Sequence, residues 1–282
     1  MSTIGKTPIE ARGHAQPEVL VSTEWVAEHM DDPTVRIVEV DVDTAAYNQG
    51  HIPGAVGWNW QRELQDQLQR DIVGKADFER LMEASGIGND TTVILYGDTH
   101  NWFATYAFWL LKYYGHEDAR VMNGGRARWL AEGRPLTTKV PVIPRANYQA
   151  RQPNLHMRVL RDPALGSLAH NHDVVLADGR PPAKCRCEQL APAYLPEEGL
   201  QRGGHIRGAR NIVWSNAVRE NGIFTSPEER RALCEGEGVA PDREGIAYYR
   251  IGERSPHTWF ALGQPLASPR RVQRRRLLDR KG

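Results

Sequence analysis

Two periods alternate along the first half of the chain. Short β-branched runs at Val35–Val40 and Thr91–Tyr96 read as buried strands, whereas Lys75–Ser85 and Asn101–Tyr114 place apolar residues at helical spacing. Ser22 stands where a cap is needed for a helix through Glu24, Trp25 and Val26. In the next helix Phe78, Leu81 and Met82 share a face, and Gly86 stops it. Val121 and Met122 make a short strand, Asn123-Gly-Gly a turn, and Arg126–Glu132 a helix closing at Gly133. Such alternation predicts an α/β domain on a mainly parallel sheet flanked by helices. From Leu136 to Leu155 the periodicity is lost among Pro141, Pro144 and Pro153, as in an interdomain linker.

Beyond that stretch the pattern repeats. Val174-Val-Leu-Ala-Asp178 answers Val38-Glu-Val-Asp41, and Gly204-His-Ile-Arg-Gly-Ala209 answers Gly50-His-Ile-Pro-Gly-Ala55. His257-Thr-Trp-Phe-Ala261 follows His100-Asn-Trp-Phe-Ala104 at a constant offset of 157. Ser226-Pro-Glu-Glu is a helix start, with Ser as cap and Pro at the first helical position. The chain reads as a tandem duplication: domain 1 at 19–137, a linker at 138–158, domain 2 at 159–261 and an atypical basic tail at 262–282. After Leu262 come Pro265, Pro269 and an arginine run, so the second domain is expected to be truncated, without its last strand and helix and with an incomplete core.

The candidate chemistry lies at Ile246–Ala261. A buried strand end runs into a loop holding Gly252, and a helix-compatible run begins near His257. Loop N–H groups and a helix N-terminus converge there into an anion cradle. Three residues separate Tyr96 from His100, but eight separate Tyr248 from His257, so only the second loop has length for a cradle. Tyr249 opens it; Arg250, Ile251, Gly252, Glu253, Arg254 and Ser255 complete it.

Composition narrows the setting. With 40% hydrophobic and 25% charged residues, and no apolar run of about 18–20 residues, the chain reads as a globular protein with no membrane span. Met1–Gln16 has no apolar leader-like segment, and Cys185, Cys187 and Cys234 are too few for a disulfide framework; both features point to the cytoplasm. Residues 262–282 carry seven Arg or Lys against Asp279 alone, leaving a body of about −5. Nucleic acid is therefore not an expected partner, and any basic patch is confined to the tail.

Val21-Ser-Thr-Glu-Trp, the two Gly-His-Ile-x-Gly-Ala turns, Asn123-Gly-Gly-Arg-x-x-Trp and Arg250-Ile-Gly-Glu-Arg-Ser255 together resemble the two-domain rhodaneses, thiosulfate sulfurtransferases of the bacterial type. The resemblance covers roughly residues 19–261. It implies a catalytic second domain, a non-catalytic first one, and no cofactor or metal. A loop-borne persulfide would move sulfane sulfur from thiosulfate to cyanide or another thiophilic acceptor. In that family a Cys opens the loop and an Arg matching Arg254 binds the anion, with Arg250 adding charge. A thiol of pKa ~8.5 lowered to ~3.5–7.5 by N–H groups, a helix N-terminus and Arg is the nucleophile such chemistry needs.

Here Tyr249 takes the Cys position, and a phenol of pKa about 10 cannot form a persulfide. The alternative implied is a catalytically inactive, anion-binding or regulatory homologue. Two origins fit the tyrosine and the tail: a degenerate paralogue whose basic tail binds a partner, or errors in the recorded sequence. Thirty Arg against six Lys indicate GC-rich coding, in which a shifted frame yields Arg, Pro and Ala. Cys185 and Cys187 read as ordinary loop thiols and Cys234 as a packing residue, while His51 and His205 read as structural residues of matched turns.

Overall fold

A computed structural model describes residues 17–68, 71–160, 174–186, 188, 204–239, 244–249, 252–266 and 270–273. The chain divides into two compact units, one of Met1–Asn154 with Arg219–Phe224, the other of Leu155–Val218 with Thr225–Gly282.

In the first unit the elements run β1 (Leu20–Val21), α1 (Thr23–His29), β2 (Val35–Asp41), α2 (Ala45–Gln49), β3 (Val56–Asn59), α3 (Trp60–Glu63), α4 (Lys75–Ala84), β4 (Thr92–Tyr96), α5 (Trp102–Tyr113), β5 (Ala119–Met122) and α6 (Gly125–Ala131). The strands form a parallel sheet in the order β1-β5-β4-β2-β3. Local chemistry sets the ends: the Ser22 side chain accepts from Trp25 N–H at 3.1 Å to cap α1, and Gly86, at φ 66°, takes the left-handed turn after α4. Of the predicted apolar face of α4, Phe78 and Met82 are fully buried and Leu81 is half-buried. The stretch with prolines at 141, 144 and 153 is tied to the first unit as far as Asn154. Ala146 N–H reaches Glu83 O, Arg151 N–H reaches Tyr114 O, and Asn154 N–H reaches Tyr113 O, at 2.8–3.1 Å. This stretch therefore lies along the ends of α4 and α5.

The second unit contains β6 (Arg158–Val159), β7 (Val174–Asp178), β8 (Arg210–Asn211), β9 (Glu244–Tyr248) and β10 (Arg270–Gln273), with helices at Pro182–Cys185, Pro227–Gly236 and Ser255–Leu266. Ser226 and Glu229 close a reciprocal capping box. Its strand order, β6-β10-β9-β7-β8, repeats that of the first unit. Val174 and Leu176 face one core with Ile206, Ile246 and Tyr248; Val175 and Ala177 face the other with Ile212, Cys234 and Leu262. Alternate residues are thus buried on both faces, as a covered parallel sheet requires. Cys234 is, as expected, a packing residue.

Two expectations need correction. The arginine-rich tail does not leave the sheet short of a strand: Arg270–Val272 pair in parallel with Gly245–Ala247, and Val272 and Gln273 with Arg158 and Val159. Backbone pairing asks little of side-chain identity, so an Arg-Arg-Val-Gln segment can enter the ladder although it lacks the composition of a strand. The expected loss of the helix after it concerns residues outside those described. Second, Asp178 answers Glu39, not Asp41. Glu39 faces Tyr96 across β2 and β4, and Asp178 faces Tyr248 across β7 and β9. A slip of two keeps every side chain on its face, which is why the apolar pattern did not reveal it.

Since β10 lies between β6 and β9, a chain ending at Leu266 separates β6 from the sheet. Its second unit is expected to lose cooperative unfolding while the first retains its own, measured by calorimetry against the full chain.

Candidate functional site

Both sheets end in the same buried arrangement. In the second unit the Tyr248 hydroxyl donates to Asp178 Oδ2 at 2.6 Å and accepts from Ile206 N–H at 3.4 Å. Arg180 grips the same carboxylate, Nε to Oδ1 at 2.9 Å and Nη2 to Oδ2 at 2.6 Å, and Nη2 also reaches Gly204 O at 2.7 Å. In the first unit Tyr96 donates to Glu39 and accepts from Ile52 N–H at 3.2 Å. Arg126 of α6 holds Glu39 at 2.8 and 2.9 Å and donates to Gly50 O. The repeated Gly-His-Ile turn supplies the acceptor carbonyl and the donor amide in both. Burial alone would lower the Arg180 guanidinium, but its bonds to Asp178 outweigh this and raise it; burial and the Asp178 carboxylate push Tyr248 up. At pH 7 the guanidinium is charged and the phenol neutral.

Tyr248 delivers the chain into the candidate loop. Tyr249 is only 3% exposed. A Cβ on Gly179 would stand 3.5 Å from its ring, so the ring lies against the bare backbone where β7 ends. Arg254 Nη1 donates to the Tyr249 hydroxyl, and the guanidinium carbon lies 4.9 Å from the Tyr249 ring centroid and 5.5 Å from that of Trp214. Gly252 takes φ 84°, and Glu253 is buried. Ser255 is not a loop residue as expected: it begins the helix Ser255–Leu266. Part of the five-residue insertion is thus wound into an extra first turn, bringing the positive helix end close to Arg254. Arg250 and Ile251, the remaining predicted cradle residues, lie outside those described.

Trp214 and Tyr248 border the candidate loop and were missed by loop-centred reasoning. A signal for Trp214 existed, since it follows Ala209 by five residues as Trp60 follows Ala55. His257 is fully buried, its ring edge-on to Trp214 at 5.0 Å. The turn histidines are structural: His51 Nδ1 pairs with Tyr47 O at 2.9 Å, and His205 Nδ1 with Cys185 O at 3.2 Å. Cys185 is no substitute nucleophile, because burial and the Asp178 carboxylate push its thiol up to about 12. Cys187 lies outside the described residues. Among these, no three His, Cys, Asp or Glu could hold a metal ion, and no helix is long and apolar enough to cross a membrane.

Comparison with known proteins gives this architecture a family. The rhodanese-like domain profile matches residues 22–132. The sulfur carrier protein TtuD of Thermus thermophilus is 49% identical over 91% of this chain and 91% of its own length. A Saccharopolyspora erythraea protein provisionally named a thiosulfate sulfurtransferase is 46% identical over 89% of each. This chain belongs to the rhodanese-like sulfurtransferase family. Among solved structures, the 3-mercaptopyruvate sulfurtransferase SseA of Escherichia coli aligns with a TM-score of 0.76 at 26% identity, covering 90% of this chain and 97% of that one.

The first rhodanese-like unit closes the corresponding loop on itself. Gly97 N–H donates to Asn101 Oδ1 at 3.1 Å and Asp98 N–H to Asp41 Oδ1 at 2.9 Å, so amides that could face an anion are engaged within the fold. Thr99, His100 and Asn101 all take left-handed φ, between 48° and 63°, a strained route for a short loop. A Cβ on Gly97 would stand 2.4 Å from Val40 O, which excludes a side chain where the second unit carries Tyr249. Burial, reinforced by Asp98 and Glu39, pushes the Asp41 carboxyl from 3.8 up to about 8. The folded chain then holds a proton that the unfolded chain releases, so this group lowers stability as pH rises between those values. Asp41→Asn is expected to flatten that decline, gaining roughly 1 kcal/mol or more at pH 8 relative to pH 5 in urea denaturation.

Proposed function

We propose that this chain is a thiosulfate sulfurtransferase-type protein whose site is the 249–255 loop, and that as it stands the loop does not turn over. The burial of Tyr249, with its hydroxyl on Arg254, carries this reading. In the transfer that the loop would support, a thiolate at position 249 attacks the outer sulfur of thiosulfate. The sulfur–sulfur bond breaks, sulfite departs with the electron pair, and a persulfide remains. Cyanide or another thiophilic acceptor then takes the outer sulfur and regenerates the thiolate. A guanidinium at Arg254 and the positive helix end suit both the divalent anion and the persulfide charge. The scheme needs no metal or cofactor, and its setting is the cytoplasm.

Tyr249 offers neither a sulfur nor space. Its phenol occupies the cationic donor that would receive an oxyanion. The anion-binding alternative is favoured by that same donor, provided an anion displaces the phenol. Weak binding of sulfate or thiosulfate is therefore expected, tightened by Tyr249→Phe and abolished by Arg254→Ala, as followed by calorimetry.

Thiocyanate formation from thiosulfate and cyanide tests the main reading. The native chain is expected to be silent and the Tyr249→Cys protein active. Adding Arg254→Ala should lower its kcat/KM for thiosulfate by about 10- to 100-fold, the worth of a charged hydrogen bond. Turnover by the native chain at the rate of Tyr249→Cys would overturn the proposal.

A further inference from the structure

The carboxylate–tyrosine–arginine clamp is built twice, but only in the second unit does its backbone lead to a cationic loop. Gly179 lies between Asp178 and Arg180; its N–H donates to Tyr248 O at 3.1 Å, and its carbonyl accepts from Trp214 N–H at 3.2 Å. Asp178 O takes Ile212 N–H at 2.9 Å, and Asn211 Nδ2 bridges Asp178 O and Arg180 O at 3.0 and 2.8 Å. The Trp214 indole in turn lies against the Arg254 guanidinium and the edge of His257. Asp178, Arg180 and Tyr248 are each no more than 1% exposed.

We infer that Arg180 and Tyr248 are positioning residues for the 249–255 loop: by fixing Asp178 and Gly179 they set the place of Trp214, and through it the place of Arg254. This rests on the reading of that loop as the sulfur-transfer site. Two features give these residues more than a structural role. Residue 249 follows Tyr248 directly, so displacement of the strand end moves the nucleophile position relative to the helix end. The guanidinium has also changed its source. In the first unit it comes from α6, whereas here it comes from the residue two beyond the carboxylate, the same peptide segment that holds Trp214. Arg180 fixes that segment from both sides, through its side chain on Asp178 and through its own carbonyl on Asn211. The clamp and the loop's cation are therefore held by one short stretch, 178–180.

The duplication supplies its own control. Tyr96→Phe and Tyr248→Phe remove the same hydroxyl from the same clamp, one away from the loop and one at its root. Both are made in the Tyr249→Cys protein, where alkylation of the introduced thiol is followed against pH by peptide mapping and thiocyanate formation is assayed in parallel. Both substitutions are expected to lower stability to urea by similar amounts. Only Tyr248→Phe should raise the midpoint of the alkylation curve, by about one pH unit, and lower kcat by about tenfold at little change in KM. Arg180→Lys, which keeps the charge but loses the fork, should follow Tyr248→Phe. A midpoint unmoved by Tyr248→Phe, or moved equally by Tyr96→Phe, overturns the inference. A low midpoint that Tyr248→Phe raises, in a parent that forms no thiocyanate, overturns sulfur transfer and supports the positioning role.

Discussion

A tyrosine hydroxyl held between a buried carboxylate and a turn amide is the contact on which both halves of this molecule depend. Tyr96 and Tyr248 close the same path from a central strand to the Gly-His-Ile turn, and an arginine locks the carboxylate in place. Ion pairs this deep contribute little net stability over an apolar substitute, since desolvation offsets most of their attraction. Breaking one is another matter, because the surviving charge stays buried at a cost of about 3–5 kcal/mol. Each clamp therefore acts as a geometric constraint. It fixes where the C-terminal edge of a parallel sheet ends, which is where ligands meet such sheets.

The two units spend that constraint differently. The first consumes its loop amides internally, with Asn101 and Asp41 as acceptors and Gly97 pressed against Val40. The second lengthens the loop and winds part of the addition into a helix turn. It places Arg254 against two aromatic rings at the positive end of that helix. Tyr249 then fills the resulting space, so the cation that suits a sulfur anion is engaged by the chain's own phenol.

Much of this was legible in the residues. The paired turns exposed the duplication, and the caps Ser22 and Ser226 and the helix stop at Gly86 are local features that the structure keeps. What escaped was long-range or insensitive to composition. β10 joins its sheet through backbone groups, so Arg270 and Arg271 gave no sign of a strand. The partnership of Asp178 with Tyr248 was hidden by a two-residue slip that leaves the apolar pattern unchanged. The helical state of Ser255 was obscured because the extra residues looked like loop. Arg254 was identified from the motif, but the phenol beside it emerges only when the ring is placed in three dimensions.

On the proposed reading, this chain retains a sulfurtransferase scaffold while its own Tyr249 stands where sulfur transfer would need a nucleophile. Exposure of the native chain to thiosulfate, followed by intact-mass analysis and peptide mapping without reductant, tests it most directly. No peptide is expected to gain a sulfur atom. A one-sulfur adduct mapped to Cys185 or Cys187 would contradict that reading, by showing that the chain carries sulfur at a site other than position 249.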